Sequence, residues 1–228
     1  MSIRPIKAIV QAQPTIEGAG VKLRRAFGFG DSREFDPFLL LDDFRNERPE
    51  DYIAGFPWHP HRGIETITYV LSGTVQHGDS LGNRGSLGTG DVQWMTAGSG
   101  ILHQEMPRGD ARGRMHGFQL WANLPASLKM TDPRYQDILA KDIPEVVDDD
   151  GTRVRVICGT FWGKTGPVVG VAARLRIHLR GQRDLPRRIG PHGRADRVGG
   201  RCQRDAGTHR QPLSRAVRLW RRDQHPGG

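Results

Sequence analysis

Between Ile3 and Leu124 the chain is written in short runs of β-branched and aromatic residues separated by glycine, a pattern that points to strands rather than helices. The clearest runs are residues 7–10 (KAIV), 64–71 (IETITYVL), 91–95 (DVQWM) and 116–121 (HGFQLW). Residues 78–83 and 85–90, rich in Gly, Ser and Asn, read as the hairpin turns between them. Many short strands at this spacing predict an all-β domain, a closed antiparallel barrel or jelly roll.

Residues 125–150 change character. Pro125, Pro133 and Pro144 interrupt the segment and an acidic turn, 148–151 (DDDG), ends it, so it reads as a linker with one short helix. Residues 152–159 (TRVRVICG) alternate again and open a second β unit. From residue 172 that unit gives way to a stretch without Lys, Glu, Met, Phe, Tyr or Asn. Three parts are therefore expected: 1–130, a barrel; 131–171, a linker and the beginning of a second lobe; and 172–228, an Arg-, Gly- and Pro-rich tail.

The formal net charge of +9 invites a nucleic acid or an anionic membrane as partner. The charge is local, however. Residues 1–171 carry 19 basic and 21 acidic side chains, whereas residues 172–228 carry 15 Arg and 4 Asp. The amino acids missing from that tail have A/T-rich codons and the abundant ones G/C-rich codons, so it reads as the product of a shifted reading frame. The rival reading is an Arg-rich tail that binds phosphates, although Trp220 alone offers a stacking surface. Either way it is expected to be disordered, and nucleic-acid binding is expected only through it. Cys158 and Cys202 are too few for a disulfide framework, and neither a signal-type segment nor a span of 18 apolar residues is present. A cytoplasmic, reduced protein with no membrane partner is expected.

Two clusters carry chemistry: His59-Pro-His61-Arg-Gly-Ile-Glu65, and His103-Gln-Glu105. Residues i and i+2 of a strand share a face, so each pair would place both side chains in one space and offer four convergent N/O donors. Continued alternation would add Gly63, Glu65, Ile67, Tyr69 and Leu71 to the same inner face. On spacing alone a His-x-His beside proline is also what a surface turn produces. Imidazole and carboxylate donors suit Fe(II), Mn, Ni, Cu or Zn rather than a structural thiolate site.

These motifs, with residues 18–21 (GAGV), Arg24-Arg25, 38–44 (FLLLDDF), 56–69 (FPWHPHRGIETITY), 90–107 (GDVQWMTAGSGILHQEMP) and 116–125 (HGFQLWANLP), resemble the pirins, a branch of the cupin superfamily. The resemblance runs from residue 5 to about residue 170. It implies a cupin-type barrel over residues 1–130 and the start of a second one, with His59, His61, His103 and Glu105 as ligands to a single metal, Fe(II) before other divalent ions. Glu65 is the alternative carboxylate, otherwise a group orienting a ligand histidine or Arg62. The resemblance further implies quercetin 2,3-dioxygenase activity on a flavonol-like molecule, with Glu105 as the base for the substrate hydroxyl. Its alternative is a non-enzymatic, metal-dependent regulator that binds a protein partner.

Other features have plainer readings. His77 and His116 are expected as a strand histidine and a polar wall or core residue, and Cys158 as a small buried hydrophobe. Trp94, Trp121 and Phe118 are expected in the core, and Arg24 and Arg25 on a solvated strand face. Gly18-Ala-Gly20 lacks the third glycine of a dinucleotide fingerprint.

Overall fold

The computed structural model describes residues 9–147 and 151–169, and the backbone of Leu175–Arg180 and Val217–Arg221. In chain order the strands are β1 (Gln13–Glu17), β2 (Val21–Phe27), β3 (Phe38–Asp43), β4 (Phe56–His61), β5 (Ile64–Ser72), β6 (Thr74–Asp79), β7 (Arg84–Leu87), β8 (Val92–Thr96), β9 (Ile101–Arg108), β10 (His116–Asn123) and β11 (Arg134–Ile138). They form two antiparallel sheets, β1-β2-β3-β10-β5-β8-β11 and β4-β9-β6-β7, which face one another in the all-β cupin arrangement. Among the described residues no helix is long and apolar enough to cross a membrane.

The apolar runs become strands largely as their composition dictates, with four differences. The run at 7–10 forms no strand over its described residues, and the first strand starts at Gln13. Residues 85–90 are not one turn, since Arg84–Leu87 pairs with β6 and only the segment after it turns. The expected linker contains β11, which pairs with β8 and carries the large sheet past residue 130. Short 3-10 turns at Ala126–Leu128 and Ala140–Asp142 stand where one helix was expected.

A further difference concerns the parity of β5. Gly63, with φ of +69°, makes the corner where the chain leaves β4 in the small sheet and enters β5 in the large one. Crossing between sheets resets which side chains face inward. Thr68 lines the space between the sheets, and Val70 packs with Val75 and Leu87 of the small sheet. Ile67 and Tyr69 face the other way and pack with Trp94, Leu120, Ile143 and Ile157. The expectation that Glu65, Ile67, Tyr69 and Leu71 share the histidines' face is thus corrected. With a layer on each side, β5 is buried at six consecutive positions, Glu65 to Val70.

The outer layer comes from β12 (Glu145–Val147) and β13 (Arg153–Cys158), followed by β14 (Thr160–Phe161), β15 (Lys164–Thr165), β16 (Leu175–Arg180) and β17 (Val217–Arg221). Strands β12, β13, β16 and β17 form a further antiparallel sheet. Cys158 is buried in the shared core as expected, and burial pushes its thiol up to about 11. The remainder of the tail expected at 172–228 lies outside the described residues.

Candidate metal centre

β4 is the edge strand of the small sheet, which lets it hold Pro57 and Pro60 without breaking a central ladder. Its alternation turns His59 and His61 to the interior, and its neighbour β9 brings in His103, paired across from His59. Alternating burial along β9 places His103 and Glu105 on the same inward face.

Ring nitrogens of His59, His61 and His103 lie within 4.8 Å of one another, with ring centroids 4.4 to 4.9 Å apart. His59 Nδ1 is 2.8 Å from the Pro57 carbonyl, which can only accept, so Nδ1 carries the proton and Nε2 presents its lone pair to the cluster. His103 is fully buried, and neither of its ring nitrogens has a hydrogen-bond partner among the described residues. Burial, reinforced by the neighbouring imidazoles, pushes His61 and His103 down to about 3, so both are neutral at pH 7. Neutral imidazoles packed together with bare nitrogens are what a divalent transition metal requires, and the donor set fits one.

Glu105, 8% exposed, lies beside this group and accepts a hydrogen bond from Thr68 Oγ1 at 2.9 Å. Glu65 is elsewhere. It is buried on the opposite face of β5, accepts a hydrogen bond from Thr96 Oγ1 at 2.8 Å, and lies outside the group formed by His59, His61 and His103.

His59, His61 and Glu105 open onto a cavity of about 470 Å³ between the sheets. Its far wall holds Arg25, which pairs with Asp42 through two hydrogen bonds of 2.8 Å and with Glu17 at 2.9 Å. Arg25 is therefore not on a solvated face; Arg24 is, donating to the Ala12 carbonyl. Trp121 is a wall of this cavity, 4.9 Å from the His61 ring, rather than a core residue, whereas Trp94 is fully buried and Phe118 packs against the core. Exposed Trp58 stands at the mouth.

The sheet register places Arg25 opposite Asp42, Asp42 opposite Gln119, Gln119 opposite Thr68, Thr68 opposite Gln93 and Gln93 opposite Asp137. One polar row thus crosses six strands about 4.8 Å apart. Its last member meets His77, whose Nε2 lies 3.1 Å from Asp137 while Tyr135 Oη lies 2.6 Å from Nδ1. Burial keeps the Tyr135 phenol protonated, so Tyr135 donates to Nδ1 and Nε2–H donates to Asp137. With both nitrogens engaged, His77 ties the two sheets together as a strand histidine. His116, beside Asp43 and edge-on to Phe118, lies outside the cavity lining. Motif reading passes over Thr68 and Gln119; the available signal is a polar side chain inside an apolar run.

Residues 20–122 match the family model described as Pirin. A pirin-like protein from Caulobacter vibrioides is 52% identical over 173 residues, covering 75% of this chain and 62% of the relative. A solved quercetin 2,3-dioxygenase from Acinetobacter baumannii superposes with a TM-score of 0.66 at 37% identity, covering 75% of this chain and 62% of that one. A bacterial pirin from Escherichia coli, solved in complex with nickel(II), gives 0.51 at 25% identity over 74% of this chain and 67% of that one. The chain therefore spans about three-fifths of the length of its Caulobacter relative.

Proposed function

The chain belongs to the pirin family of cupin proteins, and from that premise we propose that its first barrel is a metal-dependent dioxygenase site for flavonol-like aromatic molecules. The observation that carries this reading is His103, buried with two unpartnered ring nitrogens beside His59 and His61 at the edge of a cavity. His59, His61, His103 and Glu105 would hold the ion, Fe(II) in this reading. A metal bound there supplies a Lewis-acid seat for a phenolic oxygen and for dioxygen.

The protein's own residues do the rest. The cavity is of the size that takes a drug-sized molecule. Trp121 and Phe56 give it flat apolar walls that exclude water, and Trp58 extends them at the mouth. The Glu105 carboxylate takes the proton of the substrate hydroxyl, which requires one of its oxygens within about 3.2 Å of that group. His59 Nδ1, held by the Pro57 carbonyl, keeps its ring turned to the cluster.

The test is oxygen uptake by Fe(II)-loaded protein presented with a flavonol. Consumption stoichiometric with substrate, and absent in His59→Ala, is the expected result. Retained metal with no turnover on any flavonol would overturn the enzymatic reading in favour of a metal-dependent regulator.

A further inference from the structure

Thr68 lies in the middle of β5, 2% exposed, with Oγ1 2.9 Å from Glu105 Oε1 and 2.6 Å from Gln119 Oε1. A hydroxyl has one proton and two lone pairs, so it cannot donate to both oxygens. A carboxylate that binds a cation has no proton to offer in return. The Gln119 amide does, when its nitrogen rather than its oxygen faces Thr68, and the two ends of an amide occupy nearly the same space. Thr68 then accepts from Gln119 and spends its own proton on Glu105.

We propose that Thr68 is the positioning residue for Glu105, acting through a one-way chain from Gln119 Nε2–H to Thr68 Oγ1 and from Thr68 O–H to Glu105 Oε1. The anchor is stiff for two reasons. Thr68 is β-branched on a central strand paired on both sides, and Gln119 is its direct partner on β10. A hydrogen bond to one carboxylate oxygen fixes the rotation with which Glu105 meets an ion, a kind of contact whose loss weakens metal binding.

This inference rests on the reading that Glu105 is a metal ligand, and the experiment separates the two. Nickel(II) affinity is measured by competition with a chromophoric chelator for the unaltered chain, Thr68→Val, Thr68→Ser and Glu105→Gln, and cobalt(II) spectra are recorded for each. Thr68→Val, which keeps shape and removes the hydroxyl, is expected to weaken nickel binding by about 10- to 100-fold and shift the cobalt(II) bands. Thr68→Ser should restore both, which a packing role alone would not produce. If Thr68→Val does not fold, Thr68→Ala replaces it. Weakening in Glu105→Gln without weakening in Thr68→Val, or no rescue by serine, overturns the positioning role and leaves the ligand set standing. No effect in Glu105→Gln removes Glu105 from the ligand set and this inference with it.

Discussion

His59 Nε2 and His61 Nε2 face each other at 3.1 Å. Because His59 Nδ1 holds the proton of its ring, the contact is made only if His61 Nε2 supplies one; with both nitrogens bare, two lone pairs meet. A cation between them would remove that conflict and give His103 a partner at the same time.

Adding nickel(II) or Fe(II) should therefore stabilise the protein. At a metal concentration about 100 times Kd the gain is about 2.7 kcal/mol, and each kcal/mol raises Tm by about 2–4 °C in a chain of this size. His103→Ala should abolish the shift. A shift of the same size in that variant would place the metal elsewhere.

The pH dependence of the metal-free protein follows from the same burial. His103 and His61 titrate near 3 in the fold, below the ordinary 6.5 of an unfolded chain. Between those values the unfolded chain takes up protons that the fold refuses, so stability is greatest above pH 6.5 and is lost as pH falls towards 3. Glu105 faces His61, and Asp79 faces His103, each opposing the shift without cancelling it. For fully buried His103 the loss is at most about 1.4 kcal/mol per pH unit, and less for half-buried His61. Urea unfolding at pH 7.5, 6.5 and 5.5 checks the sign. The slope should flatten in His103→Asn, and an unchanged slope would remove His103 as its source.

Strand placement and the histidine cluster were legible because each depends on local pattern. Period-2 alternation in 103–105 and 59–61 survives folding, as both pairs lie within single strands. Glu65 was misplaced because a corner at Gly63 separates it from His61, and a sheet change is invisible to alternation. The row from Arg25 to Asp137 depends on register between strands far apart in sequence, which no spacing encodes. For the same reason Arg25 read as a surface charge, although its partner is seventeen positions away on β3.

Arg25 also carries a stability prediction. Burial pushes the Asp42 carboxyl up, against the opposing pull of Arg25. Removing the guanidinium alone leaves a buried charge unpaired. Arg25→Leu should cost about 3 kcal/mol, the low end for a buried pair because Arg25 is itself 24% exposed. Arg25→Leu with Asp42→Leu should recover most of it. The single variant should also gain relative stability as pH falls, since Asp42 then becomes neutral. A double variant as unstable as the single one would show that the pair is not the source of the loss.

Arg155 joins the outer sheet to the first barrel. From β13 it donates to the Gly90 carbonyl at 3.0 Å, the Tyr69 hydroxyl at 3.2 Å and the Ala140 carbonyl at 2.6 Å, and its guanidinium stands 6.0 Å from the Tyr69 ring centre. Tyr69 lies on the outward face of β5, one residue from Thr68, so the clamp and the hydroxyl that contacts Glu105 share a strand but not a face. Arg155→Leu strips two carbonyls of a charged donor and should cost about 1–3 kcal/mol. The loss should be confined to the outer layer: faster hydrogen exchange in β13, with nickel(II) affinity unchanged. A parallel fall in nickel affinity would mean that β5 transmits disorder between its faces, and that the barrel depends on its outer layer to hold the imidazoles in place.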